Sequence, residues 1–277
     1  MVQANGLRFR TMVDGPPGGE MAILLHGFPE GAESWSRQVD VLARAGVMAV
    51  APDLRGYGLT DAPPNVDDYR IDTLVADVAA LIKAFGRDEA HVAGHDWGAL
   101  VAWFFASAHA EMTKTLTVLS VGHPAAVIEA RADAEQREAS AYIRLFLMEG
   151  KAEEVLAEDD HRRLRTMFGD GLPRGAADAF IRSLNRPGRL TAGLNYYRAN
   201  FSAPAEWAAR AAKVHVTAPT VLLWGDQDPA LRRLQAEKTA EHMSHEYHLE
   251  VLEGAGHWLQ FERPSEVGAA LVAAITK

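Results

Sequence analysis

An α/β architecture, a mostly parallel sheet covered by helices on both faces, is predicted by three observations on this 277-residue chain. Short continuous apolar runs alternate with helical patterns, as expected of strands buried on both faces. Polar residues capable of chemistry fall at the carboxyl ends of those runs, where open α/β sheets bind ligands. One long stretch, residues 125–212, breaks the rhythm with helical character, many charges and no good buried strand.

In chain order, two short strands flank Asn5-Gly6, a hairpin signal, and Asp14 to Gly19 reads as a turn. Apolar strand runs follow at Ala22–Leu25, Val47–Ala51, His91–Gly94, Leu116–Val121, Thr220–Trp224 and His248–Leu252. Helical patterns cover Trp35–Ala45, Ile71–Phe85, Ala99–Ala108 and Pro264–Ile275, the last with proline at the helix start. The expected division is a sheet domain of residues 1–124 and 213–277 with an inserted helical cap of residues 125–212, since loops this long inside a compact domain usually serve function.

The net charge of -9 disfavours nucleic acid and anionic membranes as partners, which require a basic surface. No apolar run approaches the ~20 residues of a membrane helix, and Met1 to Met12 lacks the long apolar core of a secretory signal. With no cysteine, disulfides, thiolate metal sites and a cysteine nucleophile are excluded. A cytoplasmic location is the expectation.

The chemistry centres on Gly94-His95-Asp96-Trp97-Gly98. This is the small-x-nucleophile-x-small frame of a strand-to-helix elbow, with aspartate at the apex in place of serine. Side chains at the flanking glycines would strike the neighbouring strand and helix. An aspartate is anionic at neutral pH and needs no base to attack. Attack on a saturated carbon would give an ester, which water can hydrolyse if a base activates it. His257, in the loop after the last strand, is the candidate base. Asp226 and Asp228 compete to orient it; Asp228 is favoured because it lies farther beyond the strand end. The chain order nucleophile, acid, histidine is that of the α/β-hydrolase fold. Ester hydrolysis builds an oxyanion, for which the backbone N–H groups of Phe28 and Trp97 are the expected donors.

The segments His26-Gly27-Phe28-Pro29-Glu30, Asp53-Leu54-Arg55-Gly56-Tyr57-Gly58, Gly94 to Gly98 and Gly256-His257-Trp258 together resemble those of α/β-hydrolase-fold epoxide hydrolases. The resemblance covers most of the sheet domain. It implies a cofactor-independent, metal-free enzyme that converts a small hydrophobic epoxide to a vicinal diol. It also implies two cap tyrosines that hold and protonate the epoxide oxygen. Leu194-Asn195-Tyr196-Tyr197-Arg198 is similar to the family's second-tyrosine motif, assigning the role to Tyr197, and Tyr142 matches the first. Tyr196 then reads as packing. The pocket is expected to be lined by Phe28, Pro29, Trp97 and Phe146.

Two alternatives share the elbow. A haloalkane or haloacid dehalogenase would use the same aspartate, and the Trp97 indole could hold a halide. Against this, Phe28 offers no side-chain donor, and Trp97 stands where dehalogenases of fluoroacetate type carry arginine. A ligand-binding protein without catalysis would not need Asp96, Asp228 and His257 together. His242, His245 and His248 straddle a helix-to-strand junction, so their faces should diverge and bind no metal. His95 should pack under the elbow, His123 and Trp103 should be structural, and Asp159-Asp160-His161 should form a solvated face.

Overall fold

The computed structural model describes residues 1–276. Asn5 and Gly6, both with positive φ, turn the chain between β1 (Val2–Ala4) and β2 (Leu7–Phe9), an antiparallel hairpin. The main sheet contains β3 (Thr11–Asp14), β4 (Met21–Leu25), β5 (Met48–Pro52), β6 (Ala90–His95), β7 (Thr113–Leu119), β8 (Thr220–Gly225) and β9 (Tyr247–Leu252). Their spatial order is β3-β5-β4-β6-β7-β8-β9, parallel throughout except for β3. β3 carries no clear apolar pattern because it lies at the sheet edge with Met12 half-buried and Val13 exposed.

Strand alternation divides the core. Met21, Ile23 and Leu25 of β4 face one apolar cluster, and Ala22 and Leu24 face the other. Both faces are therefore apolar, so the strands read as continuous runs rather than alternating ones. One face is covered by α1 (Ser36–Arg44) and α13 (Pro264–Ile275), through Val39, Leu42, Val267 and Leu271. The other is covered by α2 (Ile71–Ala84) and α3 (Trp97–Ala108). Nine of the twelve residues of α3 are buried, including Trp103, so its sequence is apolar almost all round.

Between β7 and β8 the chain is helical, with no strand among the described residues. The helices are α4 (Pro124–Ala130), α5 (Ala134–Ala139), α6 (Tyr142–Phe146), α7 (Lys151–Phe168), α8 (Arg174–Leu184), α9 (Arg189–Phe201) and α10 (Pro204–Ala211). Three further short or terminal helices complete the chain: α11 (Arg233–Lys238), α12 (Leu259–Glu262) and the α13 already described. α9 fastens the segment to the sheet domain. Tyr196 donates to the Arg55 carbonyl at 2.8 Å, and Asn200 bonds both the Ile71 amide and the Tyr69 carbonyl. Arg198 ties α9 to its neighbours, pairing with Glu153 of α7 at 2.8 Å and donating to the Phe146 carbonyl of α6. α7 is interrupted at Asp159, Asp160 and His161, all with positive φ. The solvated-face reading fits the two aspartates, which pair with Arg162 and Arg165, but not His161. That ring is buried and bonded to Asn185 at 2.7 Å, because the interruption turns it inward. Among the described residues, no helix is long and apolar enough to cross a membrane.

Candidate active site

The elbow follows from sterics. β6 ends at His95, α3 begins at Trp97, and Asp96 between them adopts φ 51°, ψ -119°, a conformation costly for a residue with a Cβ. A Cβ on Gly94 would overlap the Gly98 backbone, and one on Gly98 would overlap the Leu25 backbone. A Cβ on Gly27 would collide with the Asp96 side chain. The two flanking glycines let the turn pack down onto β4, which lifts the Asp96 carboxylate above the strand ends.

That carboxylate is gripped on one side and free on the other. Its Oδ1 accepts the Phe28 amide N–H at 2.8 Å, and the Trp97 amide also bonds the carboxylate. Its Oδ2 stands 3.8 Å from His257 Nε2, too far for a hydrogen bond. Burial raises the Asp96 carboxyl above the usual carboxylate range; the positive charges of His257 and His95 and the two amides limit the rise.

His257 Nδ1 meets Asp228 Oδ2 at 2.7 Å. The other Asp228 oxygen accepts the Ala230 and Leu231 amides at 2.8 and 2.9 Å, so the carboxylate is fixed by three bonds. Asp226 turns away and accepts the Gly254 amide at 2.6 Å, which ties the histidine loop to β8. Burial alone would depress the His257 imidazolium; the facing Asp228 and Asp96 carboxylates outweigh it and carry its pKa up to about 9.

Tyr142 opens α6 and Tyr197 lies on α9, with ring centroids 6.4 Å apart. Both phenols are shifted upward, by burial first and then by the Asp96 charge, so both remain protonated donors. The Trp97 indole is turned toward the Tyr197 hydroxyl, with the rings 5.1 Å apart, and stacks on Phe201. Two small cavities of about 50 Å³ each share Asp96, Tyr142 and Tyr197 in their walls. One extends past Trp97 and Phe201, the other past Phe28, Pro29, Phe168 and Trp258. Phe146 borders neither. It is fully buried behind the wall, packed on Phe28, Tyr142 and Tyr197 at centroid distances of 5.3, 5.2 and 4.9 Å. Facing inward from α6, it supports the lining rings instead of lining the pocket itself.

The segments singled out from the sequence thus converge on one point at the carboxyl edge of the sheet. The chain is similar to epoxide hydrolase A of Mycobacterium tuberculosis, 36% identical with 100% of this chain and 96% of the relative covered. The model of a family described as alpha/beta hydrolase fold matches residues 23–264. The chain belongs to the α/β-hydrolase-fold epoxide hydrolases. Its fold is also similar to the crystal structure of epoxide hydrolase A from Mycobacterium thermoresistibile, with TM-score 0.85, 33% identity and coverage of 99% and 97%. A mutant of an epoxide hydrolase from Bacillus megaterium, complexed with its product (R)-3-[1]naphthyloxy-propane-1,2-diol, superposes with TM-score 0.89 at 27% identity over 100% and 99% of the two chains.

In this epoxide hydrolase family member, a buried pair beneath the elbow went unread in the sequence. Glu30 Oε2 accepts the Gly27 amide at 2.7 Å and faces His95 Nδ1 at 2.9 Å. His95 Nε2 meets the His257 carbonyl at 2.8 Å, where Ser120 also donates at 3.1 Å. Both partners of the His95 ring are acceptors, so the ring donates from both nitrogens. Burial would raise the Glu30 carboxyl, but the facing His95 and the Gly27 amide bring it down to about 2. The pair links the Phe28 loop, the elbow and the His257 loop. Its only local signal was a glutamate two residues after Phe28, ordinary when taken alone. His242 stacks on His123, whereas His245 faces His215 and His248 lies on β9, so the three histidines do point apart.

Proposed function

We propose that this chain hydrolyses a small epoxide to a vicinal diol through an ester on Asp96, with residues 125–212 acting as a cap. The observation that carries the reading is that one free carboxylate oxygen and two protonated phenols line the same two adjoining cavities. Asp96 Oδ2 attacks an epoxide carbon, the C–O bond breaks, and Tyr142 and Tyr197 donate to the departing oxygen. The opened product is an alkoxide, a poor leaving group, and needs such a donor. Oδ1, already holding the Phe28 amide, becomes the ester carbonyl oxygen, with the Trp97 amide also directed at this carboxylate. When water adds, the negative charge develops on that same oxygen, against preset donors.

Forming the ester also prepares the base. The Asp96 charge that helps hold His257 protonated disappears on alkylation, which lowers the imidazole pKa and enlarges its neutral fraction, although Asp228 still holds it up. His257, oriented by Asp228, takes a proton from water, and hydroxide attacks the ester carbonyl. The acyl–oxygen bond breaks, the His257 imidazolium protonates the departing alkoxide, the diol leaves, and the oxygen from water stays in Asp96. Halide displacement is less well served, because the Trp97 indole is engaged toward Tyr197 and Phe28 brings no second side-chain donor.

The test is a single turnover of styrene oxide in 18O water with enzyme in excess. The expected result is label in the Asp96 carboxylate and an unlabelled diol. Label in the diol with none in Asp96 rejects the ester.

A further inference from the structure

The cavity that runs past Trp97 carries a second charged group besides Asp96. Arg131, at the C-terminal end of α4, borders it together with Asp96 and Tyr142. Its guanidinium is half-buried and lies 5.4 Å from the centre of the Phe201 ring. The acids nearest in sequence are engaged elsewhere. Glu129 pairs with Lys238 and His242, Glu135 with Arg232, and Asp133 caps α5 by accepting the Gln136 amide. No carboxylate among the described residues pairs with Arg131. Burial lowers its pKa and only the Tyr142 phenol opposes this, yet a guanidinium stays charged in any protein. The polar neighbours at that end do not serve it: Gln136 donates to Ser140 and the Ala230 carbonyl and accepts the Arg232 amide.

A cation drawn partly out of water without a counter-charge is costly, and its planar N–H fork fits a carboxylate. The other cavity is walled mainly by Phe28, Pro29, Leu164, Phe168 and Trp258. Both arms share the Asp96 carboxylate; beyond Asp96, His257 and the two tyrosines, one arm is apolar and the other carries the Arg131 guanidinium in an otherwise largely apolar wall. The protein carries a net charge of -9, so its long-range field does not gather anions and any preference for them must be local.

We infer that Arg131 binds a carboxylate on the substrate, so that the enzyme selects epoxides with an apolar group on one carbon and a short carboxylate-ended arm on the other. The inference deepens the proposed function and rests on it. The probes are trans-5,6-epoxy-6-phenylhexanoate and its primary amide. Wild type is expected to favour the carboxylate by about tenfold or more in kcat/KM, the scale of a charge-assisted hydrogen bond. In Arg131→Met the preference should collapse, chiefly through KM, and Arg131→Lys should restore part of it. Equal loss on both substrates, the pattern of a residue that merely supports Tyr142 or the fold, overturns the inference. So does a wild type without preference. Calorimetry with the 5,6-dihydroxy acid and its amide reads the same subsite without turnover. Tighter binding of the acid in wild type, lost in Arg131→Met, upholds the inference even if the 18O experiment rejects the ester. Equal binding of acid and amide overturns it even if the ester is found.

Discussion

On the sheet side of the site, Asp96, His257 and Asp228 stand at strand ends and are oriented by hydrogen bonds of 2.7 to 2.9 Å, most of them to backbone amides. On the helical side, Tyr142 and Tyr197 are oriented by ring packing, with centroid separations of 4.9 to 6.4 Å among Phe28, Trp97, Phe146 and each other. Hydrogen bonds from loop amides just beyond the strand ends fix an atom directionally. Aromatic packing fixes a volume and leaves small rotations available. The two sides also divide the proposed chemistry, with epoxide opening leaning on the helices and ester hydrolysis on the strand ends.

Removing one side at a time breaks this comparison most severely. Tyr142→Phe with Tyr197→Phe should slow ester formation by roughly 10²- to 10⁴-fold, the range for lost proton donation, so no alkyl-enzyme appears. His257→Gln should leave ester formation largely intact and trap the alkyl-enzyme, visible as a mass increment on the protein equal to the substrate. If the tyrosine double variant accumulates ester, or the histidine variant does not, the division between the sides fails.

A smaller effect tests how the sheet side is held. Glu30→Gln removes the charge facing His95 in a fully buried pair, and should destabilise the fold by about 3 kcal/mol in denaturant unfolding, the low end for a broken buried ion pair. Equal stability of variant and wild type would mean that the pair does not brace the loops.

The smallest effect concerns the coupling across the site. His257 has a folded-state pKa raised to about 9, so its contribution to stability is fully present below the unfolded value near 6.5 and is lost as pH rises through about 9. Asp96→Asn, which mimics the neutral ester, should lower the His257 pKa by about one unit in an NMR titration and shrink that pH-dependent loss. An unchanged pKa would remove the proposed link between ester formation and the freeing of the base.

The sheet side was legible in the sequence because its signals are local. Gly94 and Gly98 bracket one turn, His257 follows one strand, and the apolar runs are only a few residues long. The helical side was not. Tyr142 and Tyr197 are 55 positions apart in the numbering, share no spacing that brings their hydroxyls together, and were reached only through resemblance. Phe146 was placed in the pocket wall because its apolar character cannot say which side of the wall it faces. His161 read as solvated because a run of charges gives no warning of three successive residues with positive φ. Asp228 was favoured over Asp226 for its place beyond the strand end, and in the structure the Gly254 amide takes Asp226 while His257 meets Asp228.

The sequence by itself determined the fold, the elbow with its carboxylate, and the order Asp96, Asp228, His257 along the chain, since strand burial and turn sterics act over short distances. Only the tertiary structure decided which oxygen of Asp96 is held and which is free. It alone also brought Glu30 to His95 and left Arg131 unpaired among the described residues, in the wall of a cavity it shares with Asp96. These are contacts between groups distant in sequence, and their energies depend on burial and geometry that no local pattern encodes.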